Sequence, residues 1–121
     1  MQTLINYAAV AGAGALGAML RLFIGQVVPV TPFPWATLII NVTGSFILGW
    51  FMVYVGDRAH IPEHLRLAVS IGFVGAYTTF STYMHETDKL WAKNSWVALA
   101  YLAGSIILGL TAVKLGAALA Q

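Results

Sequence analysis

Apolar residues fall in four blocks of helix length, at roughly 4–27, 34–56, 65–88 and 95–119. Each is close to the roughly 20 residues that a helix needs to cross the hydrocarbon of a bilayer. Short polar or proline-bearing stretches divide them: PVTPFP at 29–34, GDRAHIPEH at 56–64 and AKNS at 92–95. The blocks are rich in Ala, Leu and Gly and contain no alternating ten-residue units, so they predict helices rather than a barrel. The pattern therefore predicts an all-α integral membrane protein with four transmembrane helices. It forms a single domain over residues 1–121, without repeats or linkers.

The third block departs from this regularity. Its stretch GFVGAYTTFSTYMHE at 72–86 sets Gly72 and Gly75 before Thr78, Thr79, Ser81 and Thr82. Glycine is a weak helix former, and short hydroxyl side chains compete for backbone hydrogen bonds. A break in the third helix near 75–79 is predicted. Freed backbone groups at that depth are tolerated only when buried in protein or lining an aqueous cavity, and in transporters such carbonyls often hold a cation.

Composition excludes a soluble protein: 60% of residues are apolar and 8% charged, and the mean hydropathy is +0.82. The first block has no charged leader segment and is long, so it reads as a retained span rather than a signal peptide. With no cysteine, disulfides and thiolate metal sites are excluded. The few charges are scattered, which argues against a nucleic-acid partner. They are also balanced between the two sides of the membrane, with Arg58, Arg66 and Lys114 on one and Arg21, Lys89 and Lys93 on the other. That balance removes the usual orientation bias of short basic loops. Four helices are too few to enclose a water path alone, so a homodimer is expected, and dual topology permits an antiparallel one.

Several polar positions lie inside the spans. Thr37, Asn41 and Ser45 are spaced to share one helix face, and Tyr101 and Ser105 repeat the four-residue interval in the fourth span. They read either as glue between helices or as a polar track; Ser105 alone reads as bonding the carbonyl four residues back or packing on Gly109. Gly12, Gly14 and Gly17 match a dinucleotide fingerprint literally, but within a membrane helix they predict close packing. The HETD run at 85–88 lacks the second histidine of a zinc motif and reads as an interfacial helix end, while His60 and His64 read as solvated loop residues. Arg21 either anchors the first span at the interface or concentrates anions at a pore mouth. Phe80 and Tyr83 either pack the core or offer ring edges, which carry partial positive charge, to an anion.

GAMLR at 17–21, NVTG around Asn41, GFVGAYTTFSTY at 72–83, Glu86 and the Tyr101–Ser105 spacing together resemble the Fluc family of fluoride channels, also called CrcB. The resemblance covers nearly the whole chain, and the TTFST run is its most specific part. It implies a dual-topology antiparallel homodimer in the cell membrane, with two pores that pass fluoride down its gradient, and a structural sodium ion on the dimer axis. It assigns sodium-binding carbonyls to Gly75 and Thr78 and pore-lining roles to Asn41 and Phe80. It further assigns a polar track to Ser81, Thr82, Tyr101 and Ser105, and a vestibule charge to Arg21. Two positions depart from the family pattern: Ala76 stands where a second glycine is usual, and Tyr83 where a second phenylalanine is usual. Tyr83 is therefore placed on the pore without a simple phenyl-edge role. The expected function is passive, fluoride-selective conduction, not catalysis. Its rivals are a small proton-coupled multidrug exporter, which needs a mid-membrane carboxylate, and a non-conducting assembly subunit.

Overall fold

The structure is a computed structural model describing residues 1–121. It is entirely helical: α1 (Gln2–Val27), α2 (Trp35–Gly56), α3 (Glu63–Leu67), a π-helical run over Ala68–Val74, α4 (Gly75–Tyr77), α5 (Ser81–Lys93) and α6 (Ser95–Ala120). Three of these, α1, α2 and α6, are long and apolar enough to cross a membrane.

Local chemistry sets the boundaries. Pro29 forces the residue before it out of the helical region, and Val28 is accordingly extended, with ψ of 126°. Helix α2 starts directly after Pro34. At its far end, the Arg58 guanidinium lies 3.9 Å from the centroid of the Tyr54 ring and donates to the Tyr54 carbonyl, a favourable place for a cation. Asn94 caps α6: its side-chain oxygen accepts from the amides of Trp96 at 3.0 Å and Val97 at 3.3 Å.

Only 17 of 121 residues are buried. The long helices keep most of their Leu, Ile, Val and Phe side chains outward, which suits an apolar solvent, and close backbone approach replaces a large side-chain core. Helix α2 packs along α6, and α1 packs on α3, α4 and the π-helical run. A methyl group built on Gly49 would overlap the main chain of Val113, and one on Gly116 the main chain of Phe46. Gly17 stands in the same relation to Phe73, and Gly72 to Val10. Gly12 meets nothing within 4 Å in this chain. Within the single chain the packing surface of α1 is thus carried by Gly14 and Gly17.

Between Tyr77 and Ser81 the chain leaves the helix. Thr78 is extended, at φ −80° and ψ 161°, and regular helix resumes only with α5. Buried Tyr77 anchors the preceding turn by a 2.8 Å hydrogen bond between its hydroxyl and that of Thr43, and by stacking on Phe73.

Candidate functional site

An irregular turn among apolar helices must account for its backbone polar groups. The amide of Thr78 donates to the Val74 carbonyl at 3.0 Å, and its hydroxyl donates to the same oxygen at 2.9 Å. The amide of Thr79, whose partner in a continuous helix would be the Gly75 carbonyl, donates instead to Asn41 Oδ1 at 2.9 Å. Asn41 Nδ2 in turn donates to the Thr79 carbonyl at 3.0 Å. The Thr82 amide, whose helical partner would be the Thr78 carbonyl, donates to Thr79 Oγ1 at 3.2 Å. The Ala76 carbonyl accepts from Arg21 Nε at 3.1 Å. Arg21 is therefore attached to the end of the helical segment, a role that neither sequence reading contained.

Two concavities flank this turn. A cavity of about 250 Å³ is bordered by Asn41, Ser45, Thr78, Thr79, Phe80 and Tyr83. A wider one, of about 690 Å³, opens at the α1–α2 loop and collects Arg21, Thr37, Thr82, Glu86, Lys89 and Lys93. The structure therefore brings Asn41, Thr78, Phe80 and Tyr83 together around the first and places Arg21 and Thr82 on the second. Phe80 is 73% exposed, beside Asn41 and Thr79, rather than part of a core. Ser81, the first residue of α5, is exposed. Gly75, Ser81, Tyr101 and Ser105 border neither cavity.

Tyr83 and Tyr101 are both buried. Tyr83 donates its hydroxyl to the Leu102 carbonyl, so that donor is already engaged. Tyr101, 1% exposed, donates to Glu86 Oε1 at 3.0 Å. Glu86 carried part of the family likeness in the sequence but had no role there; the structure gives it one, as the acceptor for Tyr101. Its position three residues after Tyr83 aims it at α6, but no local spacing joins it to Tyr101, fifteen residues on. The Ser105 hydroxyl is buried without a hydrogen-bond partner. The expectation that it bonds the carbonyl four residues back is therefore corrected. Leaving such a group unpaired costs about 1–3 kcal/mol.

The aromatic rings form a continuous edge-to-face series between the two cavities. Phe33, on the α1–α2 loop, meets Tyr101 at 5.3 Å and 81°; Tyr101 meets Tyr83 at 5.1 Å and 84°; Tyr83 meets Phe80 at 6.3 Å and 79°. These are favoured geometries for ring quadrupoles. At its Phe80–Tyr83 end the ring series shares the smaller cavity with Asn41 and adjoins the start of α5, where helical amides give a partial positive charge.

Residues 8–117 match the family model described as CrcB-like protein, Camphor Resistance (CrcB). A protein of Geobacillus kaustophilus named fluoride-specific ion channel FluC 2 is 46% identical over 119 residues, covering 95% of this chain and 92% of its own. The fluoride-specific ion channel FluC of Koribacter versatilis is 40% identical over 105 residues, covering 84% and 81%. That of Saccharophagus degradans is 38% identical over 122 residues, covering 98% and 92%. With the family model spanning almost the whole length and such relatives aligned from end to end, the chain belongs to the CrcB family.

Proposed function

We propose that this multi-pass membrane protein is a fluoride-selective ion channel that passes fluoride passively and so lowers its concentration in the cytoplasm. The observation that carries the reading is the open turn at 78–80. It sets an amide side chain, an exposed phenyl ring and a helix N-terminus around one small cavity, with an unpartnered buried hydroxyl on α6. Such a lining offers hydrogen-bond donors and ring edges but no buried lysine to trap an anion, and conduction requires binding weak enough for exit. Fluoride is small and accepts short hydrogen bonds strongly, so closely spaced donors favour it over chloride. The relatives' names point the same way.

In this reading α3, the π-helical run, α4 and α5 together make one broken third span. Two copies pair antiparallel, so that their broken segments meet across the dimer axis. Arg21, Lys89 and Lys93 around the wider cavity then draw anions to the mouth. Asn41, Phe80 and Tyr83 on the smaller cavity and Thr82 on the wider one border the route inward, and the polar track assigned to Ser81, Tyr101 and Ser105 runs behind them. A sodium ion on the axis fits the chemistry of the turn. The Gly75 and Thr78 carbonyls are those whose helical amide partners are engaged elsewhere. Bound there, the cation supplies positive charge to carbonyl dipoles that lipid cannot satisfy.

Purified protein reconstituted in liposomes should release fluoride under an outward gradient and release chloride far more slowly. No fluoride release, or equal release of both halides, refutes the proposal. A reporter fused to the C-terminus should give signal on both sides of the membrane; signal on one side alone removes the antiparallel pairing.

A further inference from the structure

The carbonyls suited to a cation are available because two side chains hold the amides that would otherwise occupy them. We infer that Asn41 and the Thr79 hydroxyl are positioning residues for the cation site: each captures an amide and thereby keeps one carbonyl free. This inference rests on the sodium reading of the proposed function.

Asn41 Oδ1 takes the Thr79 amide, which leaves the Gly75 carbonyl without its helical donor; Thr79 Oγ1 takes the Thr82 amide, which does the same for the Thr78 carbonyl. The second bond of Asn41, to the Thr79 carbonyl, closes a paired arrangement. It fixes the turn from a residue thirty-eight positions away, on a different helix. Arg21 removes the Ala76 carbonyl from the competition by donating to it. Ala76 and Thr79 thus accept from side chains, while Gly75 and Thr78 are the carbonyls whose own helical amides a side chain holds.

Without either capture, an amide can return to the helical carbonyl, and a cation must then displace a hydrogen bond before it binds. Apparent affinity falls in proportion to the fraction of protein with the carbonyl free. Asn41 also borders the cavity beside Phe80, so a single amide joins the cation site to the proposed anion route.

The test uses the full-length protein in detergent, melted across a sodium titration at constant ionic strength with N-methylglucamine as the replacing cation. Wild-type protein should melt at higher temperature as sodium rises. Asn41→Ala and Thr79→Val should each need about tenfold more sodium for the same rise, the effect of one competing hydrogen bond. Thr79→Ser, which keeps the hydroxyl, should titrate with wild type. A scaffold role for Thr79 would lower the melting temperature without moving the sodium midpoint. If Asn41→Ala yields no folded protein, the Thr79 pair decides alone. A sodium-responsive wild type with an unshifted Thr79→Val midpoint, or with Thr79→Ser shifted as far as Thr79→Val, overturns the inference and leaves the cation site standing. A wild type indifferent to sodium overturns both.

Discussion

Replacing Gly17 with alanine places a methyl group against main chain. The added Cβ overlaps the Phe73 carbonyl and lies 3.1 Å from the Tyr77 amide nitrogen. Neither can yield by a rotamer change, so helix α1 must shift away from the π-helical run. Overpacking costs about 1–3 kcal/mol, and a main-chain clash belongs in the upper part of that range. Alanine recovers about 1 kcal/mol of helix propensity over glycine. A net loss of about 2 kcal/mol follows. Gly12→Ala is the internal control, because its methyl meets nothing within 4 Å and should stabilise by about 0.5–1 kcal/mol. The same chemical change, five positions apart on one helix, therefore has opposite signs. Thermal unfolding in detergent, followed by tryptophan fluorescence, reads both. Fluoride release should also fall in Gly17→Ala, because displacement of Phe73 is carried through its stack with Tyr77 to the open turn. A Gly17→Ala protein as stable as wild type refutes the reasoning, and so does a loss in Gly12→Ala equal to that in Gly17→Ala.

Ser105→Ala removes an unpartnered buried hydroxyl, so stability should hold or rise by about 1 kcal/mol while fluoride release falls; a clear loss of stability would mean that the hydroxyl has a structural partner. Tyr101→Phe deprives Glu86 of a donor at 3.0 Å and should cost about 1.5–3 kcal/mol, the range for hydrogen bonds to charged groups. Most of that penalty should vanish when the change is made in a Glu86→Ala background, which has no acceptor left for the tyrosine, and equal costs in both backgrounds would exclude the pairing.

The class of fold and much of the chemistry are legible in the order of residues alone. Apolar block lengths and proline punctuation suffice for membrane helices, because those signals are local: Pro29 ends α1 through its effect on Val28 alone. The weak helix formers at 72–82 likewise mark that stretch as unsuited to regular helix, and the TTFST run carries the family likeness.

What the polar residues hold follows from the packing of the helices. Asn41 reaches the Thr79 backbone, Arg21 the Ala76 carbonyl and Tyr101 the Glu86 carboxylate across separations of 38, 55 and 15 residues. Such bonds depend on which helices lie side by side, and spacing along one helix cannot specify that. The unequal fates of Gly12 and Gly17 have the same origin. Periodicity places a residue on a face of its own helix; whether that face meets another backbone is settled only when the helices pack.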